Sequence, residues 1–183
     1  FSSQAQSSKN SGMQVEQASL TRFESVSREA SVKVVTNRGY GSGTFIQIGR
    51  SRVVFTAHHV IENATTIRIQ SDSISLEGEV IYSDEENDFA VIATTEESSH
   101  AAVKLKVRNS SQSEIIGTRV HYSGHPARHS LLTIRGTIAG IDRGCYILQS
   151  YGWMGASGSG VFDDNGRMVG ILSAIDFSTS GPS

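Results

Sequence analysis

The sequence lacks several things that would place it quickly. A single cysteine, Cys145, in 183 residues excludes an intramolecular disulfide framework and any multi-cysteine metal site. Charge of one sign is also missing: sixteen basic against eighteen acidic side chains leave −2. That balance gives no electrostatic footprint for nucleic acid or an anionic membrane. No run approaches the roughly 20 consecutive apolar residues of a membrane span. Two prolines stand against eighteen glycines, which points to many tight turns. The chain starts at Phe1 with no apolar stretch of a leader, so it reads as a processed or truncated product whose compartment is not legible. The apolar fraction, 37%, is low but clustered, enough for one compact domain or two small ones sharing a cleft.

The clusters set the organisation. Residues 1–13 are polar and serine-rich and read as disordered. Residues 14–30 place Val15, Ala18, Phe23, Val26 and Ala30 at helix-compatible spacing, the pattern of a short amphipathic lead-in. From Ser31 short β-rich segments recur every 8–12 residues or so, six within 31–93 and five within 105–176. A polar stretch at 94–104 reads as a linker, and 177–183 as a tail. No useful helical period occurs within 31–176. The class is all-β, in two halves.

Three segments carry candidate chemistry: Phe55-Thr56-Ala57-His58-His59-Val60 at the end of a strand, Asn87-Asp88-Phe89-Ala90-Val91-Ile92 at the head of another, and Gly155-Ala156-Ser157-Gly158-Ser159-Gly160 in a glycine-rich turn. Singly each is weak, since 29 serines make a lone serine uninformative and an aspartate before a strand is usually a turn former. Together they supply nucleophilic acyl transfer. A serine hydroxyl needs an imidazole to take its proton, and the imidazole needs a carboxylate to fix its tautomer. Gly155 and Gly158 allow the sharp turn by which the amides of Gly155 and Ser157 can converge on an oxyanion. The order His59, Asp88, Ser157, without alternating strands and helices, excludes an α/β-hydrolase.

These blocks resemble the chymotrypsin/trypsin-like serine peptidases, and within them the HtrA (Deg)-type branch. Thr56-Ala57-His58-His59-Val60 is similar to T-A-A-H-V/C, Asp88-Phe89-Ala90-Val91-Ile92 to D-L/I-A-V/L-L/I, and Gly155-Ala156-Ser157-Gly158-Ser159 to G-N/D-S-G-G. The branch is indicated by Gly41-Ser42-Gly43-Thr44-Phe45-Ile46, Gly124-His125-Pro126 and Gly170-Ile171-Leu172-Ser173-Ala174-Ile175. The resemblance implies two antiparallel six-stranded β-barrels with the site in the cleft between them. It implies Ser157 as nucleophile, His59 as general base and Asp88 as its orienting carboxylate, with Gly155 and Ser157 amides as the oxyanion hole. No metal or organic cofactor is implied. The chain stops at Ser183, before the family's last strand and before the PDZ domain that HtrA-type proteins add, which leaves a sheet edge open.

Other departures bear on mechanism and specificity. Ala156 stands where trypsin-type zymogens keep an aspartate for the new N-terminal ammonium, so activation by that route is unavailable. Ser159 and Gly160 replace the glycine and the proline or alanine usual there. The pocket-floor position is Tyr151 and the pocket wall Ser173-Ala174-Ile175, with Leu172 where glutamate-specific relatives use histidine. The expected P1 side chain is therefore small or medium and uncharged, with residues 173–175 pairing with substrate as an added strand. Trp153 and Met154 line the pocket mouth or pack in the core.

Remaining features take bland readings. His121, His125 and His129 recur every four residues, but Gly124 and Pro126 break a helical metal face, so the segment reads as a loop. The glycine-rich stretch 39–43 reads as a turn before a barrel strand rather than a phosphate loop. The acidic run 84–86 reads as a solvated loop, and Cys145 as a buried structural thiol. The leading function is a serine endopeptidase acting on proteins or peptides. The alternative is a catalytically weak or inert, chaperone-like module that binds extended peptides on the same fold. A viral or phage self-processing peptidase is a third origin for the same enzyme. The resemblance favours an extracytoplasmic setting, with 14–30 the candidate segment for homo-oligomer formation.

Overall fold

The computed structural model describes residues 19–109, 112–126, 130–150 and 155–173; the expected disordered segment 1–13 and tail 177–183 lie outside these. Helix α1 (Arg22–Ala30) begins later than the sequence pattern suggests, with residues 19–21 non-helical. Thr21 explains the start. Its hydroxyl accepts the Glu24 N–H while the Glu24 carboxylate accepts the Thr21 N–H, a reciprocal cap that satisfies two donors left open by the first turn. The buried face matches the expected apolar stripe only in part: Ala30 is buried and Val26 packs half-buried against the core, but Phe23 is exposed and Glu24 and Ser27 are buried. A buried carboxylate needs a partner, and Arg135 supplies it with two hydrogen bonds of 2.6 and 2.7 Å.

Six strands then close on themselves: β1 (Ser31–Thr36), β2 (Gly39–Ile48), β3 (Ser51–Thr56), β4 (Ile67–Gln70), β5 (Ser75–Asp84) and β6 (Phe89–Thr94). Their order is β1-β4-β5-β6-β3-β2, and β1 pairs again with β2, so no edge remains in this antiparallel barrel. Val32, Val34, Phe45, Val54, Ile69 and Ile92 are completely buried in its core, each contributing about 1.5–3 kcal/mol. Residues 39–43, expected to be a turn, are the first half of β2. Within the stretch read as a linker, β7 (Val103–Lys104) adds to β2 in parallel and buries Val103.

After the single turn α3 (Gln112–Ile115), five strands follow: β8 (Arg119–Gly124), β9 (Leu132–Asp142), β10 (Cys145–Gln149), β11 (Gly160–Asp163) and β12 (Met168–Ile171). Their order is β10-β9-β8-β11-β12, with no closing pair among the described residues. The fold is therefore mostly β, one closed six-stranded barrel plus a half-barrel, in keeping with the six strands, then five with an open sheet edge, expected from the sequence. Because β10 is an outer strand of an open sheet, Cys145 is exposed rather than a buried thiol. His121 and Gly124 belong to β8, not to a loop, and His121 is buried against Phe162; His129 lies outside the described residues. Phe162 and Met168 of the half-barrel pack into the first core, so the two halves share apolar contacts.

Candidate active site

The site is assembled at the ends of strands. Chain leaving β3 makes one helical turn, α2 (His58–Ile61), whose own N-cap, Ala57, provides no side-chain acceptor. Asp88, in the turn before β6, fills that role: its Oδ1 accepts the His59 N–H at 2.8 Å. The same carboxylate accepts the ring, His59 Nδ1 to Asp88 Oδ2 at 2.7 Å. Asp88 reaches this position with a left-handed backbone, φ 49°, a conformation that short polar side chains tolerate. The Ser173 hydroxyl donates to Asp88 Oδ2 as well. Burial raises the Asp88 pKa, but the hydrogen bonds from Ser173, the His59 N–H and the His59 ring outweigh it and leave the carboxyl below its ordinary value.

An ionised carboxylate only accepts, so a neutral His59 carries its proton on Nδ1 and leaves Nε2 with a free lone pair. His59 and Ser157 line one cleft of about 300 Å³, with Gly155, Arg38, Tyr40 and Glu62. Ser157 Oγ makes no hydrogen bond to His59 among the described residues, whereas the histidine–aspartate pair is fully formed. His58, the adjacent candidate, bonds Ser83 Oγ through Nδ1 at 2.6 Å and does not reach Asp88.

The turn around Ser157 contributes Gly155 and Ser157 to the lining of the cleft. Gly155 and Gly158 have φ of 91° and 95°. A side chain at Gly158 would collide with the Ser42 carbonyl and the Thr56 hydroxyl. All three carbonyls of residues 155–157 are bound on the protein side. Gly155 C=O accepts Ser42 Oγ at 2.8 Å, Ala156 C=O accepts Ser159 N and Oγ at 3.1 and 2.6 Å, and Ser157 C=O accepts Ser42 N at 2.8 Å. The N–H groups of Gly155 and Ser157 have no acceptor among the described residues.

Of the expected specificity positions, only Ser173 is described; Tyr151, Ala174 and Ile175, with Trp153 and Met154, lie outside the described residues. The motifs contain Ser42, Ser159 and Ser173, but the contact of Ser173 with Asp88 and those of Ser42 and Ser159 with the turn carbonyls were not legible in the sequence, since motif membership does not give a hydroxyl its partner. Among the described residues one group could offer metal ligands: His58, Glu62 and Glu85, with atoms within 4.8 Å of one another and both glutamates exposed. Burial lowers the pKa of His121 and His125, and the His125 N–H donates to Ser42 Oγ at 2.9 Å.

A closed barrel and a half-barrel, with histidine, aspartate and serine at strand ends around one cleft, define a trypsin-like architecture. The chain belongs to the trypsin-like peptidase family, whose domain its residues 41–171 match. It is 27% identical over 145 residues to the periplasmic serine endoprotease DegP of Salmonella typhimurium, covering 74% of this chain and 30% of DegP. The chain thus spans less than a third of that relative's length. Among solved structures it is similar to an inactive form of Rv3671c from M. tuberculosis carrying a serine-to-alanine mutation, with TM-score 0.68, 17% identity, and 85% of this chain and 80% of that chain covered. It is similar also to Deg5, with TM-score 0.66, 21% identity, and 83% and 82% covered. At these identities the two structures show a shared fold. The likeness to HtrA (Deg)-type proteins in sequence is that to DegP. No helix among the described residues is long and apolar enough to cross a membrane.

Proposed function

We propose that this domain is a serine endopeptidase. The observation that carries the reading is the pair of bonds from His59 to Asp88 in a cleft that His59 shares with Ser157. Ser157 Oγ attacks the scissile carbonyl carbon and its proton passes to His59 Nε2. The Asp88 carboxylate stabilises the imidazolium, and the Gly155 and Ser157 N–H groups receive the oxyanion. Collapse of the tetrahedral adduct expels the amine, which takes the proton from Nε2. Water, deprotonated by His59, then attacks the acyl ester and regenerates Ser157. None of these steps requires a metal or an organic cofactor.

The substrates are proteins or peptides held beside Ser173, Ala174 and Ile175, with Tyr151 at the pocket floor. With no acid among those four residues, the P1 side chain is small or medium and uncharged. Resemblance to a periplasmic relative supports an extracytoplasmic setting. A homo-oligomer through 14–30 would use the start of α1 and the residues just before it, where Phe23 and Leu20 are exposed. The unmade Ser157–His59 hydrogen bond favours one competing reading, a peptide-binding module without turnover. Titration with a fluorophosphonate probe, read by intact mass, separates the two. Stoichiometric labelling of wild type that is lost in Ser157→Ala is the expected result. A folded wild type that stays unlabelled would overturn the peptidase reading in favour of the binding module.

A further inference from the structure

The oxyanion turn raises a physical question of its own. Two N–H groups aimed at one point repel each other's positive ends, and only a backbone held from behind keeps them there before charge develops. Residue 156, at the centre of the turn, is a buried alanine, so no charge within the turn anchors it. The anchoring is instead done by hydroxyls. Ser42, buried on β2 of the closed barrel, reaches across to the half-barrel and holds the carbonyls of Gly155 and Ser157 through Oγ and N. Its Oγ is fixed in turn by the His125 N–H. Ser159, also buried, holds the carbonyl between them, that of Ala156.

Resting on the reading of Ser157 as nucleophile, we infer that Ser42 and Ser159 are positioning residues that clamp the peptide carrying the Ser157 N–H, through the Ala156 carbonyl, and the peptides on either side of it, through the Gly155 and Ser157 carbonyls. The clamp is neutral, so the oxyanion hole is assembled by docking of the two halves and needs no ionisable anchor. The Ala156 carbonyl and the Ser157 N–H belong to one planar peptide, so holding the first fixes the second, and the Gly155 and Ser157 carbonyls held on either side keep that peptide from rotating. Gly124 on β8 is part of the same device. A Cβ there would collide with the Ser159 hydroxyl and approach Ser42 Oγ to 3.1 Å, so any side chain at 124 displaces the clamp while both serines remain.

The test compares wild type with Ser42→Ala, Ser159→Gly and Gly124→Ala in the same chain. The measurements are the rate of fluorophosphonate labelling and kcat and KM on one peptide substrate. Each variant is expected to lose about 10- to 100-fold in labelling rate and kcat, with KM within about threefold. Ground-state peptide binding does not use the oxyanion, so a merely structural weakening would not produce that split. Variants that keep the wild-type near-ultraviolet circular dichroism and react at the wild-type rate would overturn the clamp. Should Ser42→Ala not fold, Ser159→Gly and Gly124→Ala decide alone. Wild type that is unlabelled, or labelled equally in Ser157→Ala, overturns the peptidase reading itself and the clamp with it.

Discussion

Asp88→Asn isolates what the carboxylate does from what its shape does. In the folded protein Asp88 holds α2 through the His59 N–H and the ring through Nδ1. Asparagine keeps an oxygen for the His59 N–H, so the cap and the fold survive. Its NH₂ group then faces Nδ1, which must become the acceptor, and the ring proton moves to Nε2. A histidine protonated at Nε2 cannot take the Ser157 proton. Restoring the working tautomer forfeits that hydrogen bond, about 1–3 kcal/mol. Loss of the carboxylate removes its attraction for the imidazolium, at most about 6 kcal/mol for charges 2.7 Å apart at an effective dielectric of about 20. His59 is 44% exposed, so solvent screens a large part of this. Together about 5 kcal/mol is lost from the transition state, close to the ~10⁴-fold fall in kcat expected when a triad aspartate becomes asparagine. The assay is kcat/KM at neutral pH, with unfolding midpoints as a control. An unchanged fold with activity within tenfold of wild type would refute the assignment of Asp88.

Two other perturbations test the frame around the site. The Arg135 hydrogen bonds outweigh burial and hold the Glu24 carboxyl down at about 2. Its contribution to stability is therefore present above the ordinary glutamate range and is lost as pH falls from there toward 2. Glu24→Gln should lower stability at pH 7 by about 1–3 kcal/mol and flatten its loss between pH 5 and 2, as read by denaturant unfolding; parallel curves for the two proteins would argue against the pair. Gly158→Ala forces a side chain into the Ser42 carbonyl from a left-handed backbone. It should destabilise by about 3 kcal/mol or more and abolish labelling, whereas a wild-type unfolding midpoint would show the turn to be slack.

The sequence by itself determined the strand segments, because alternating apolar residues such as Val32 and Val34 fit a pleated, half-buried surface wherever they are placed. Its three motifs also carried the candidate residues, since glycines around Ser157 and the histidine pair after β3 are needed locally by the chemistry. Tertiary structure decided the rest. The resemblance already favours His59 over His58, and the fold supplies the physical reason, because only one ring reaches Asp88 across 29 positions. Ser42, Ser159 and Ser173 were drawn out of a serine-rich chain by carbonyls and a carboxylate that are mostly distant in sequence. It extended the buried face of α1 from Val26 and Ala30 to Glu24, because Arg135, 111 positions away, pairs with the buried carboxylate. The exposure of Cys145 likewise depends on whether another strand covers β10, which no residue near Cys145 encodes. Local pattern reports what a segment can bury and how it turns; pairing over long separations selects the hydrogen-bond partners, and at this cleft those partners make the site.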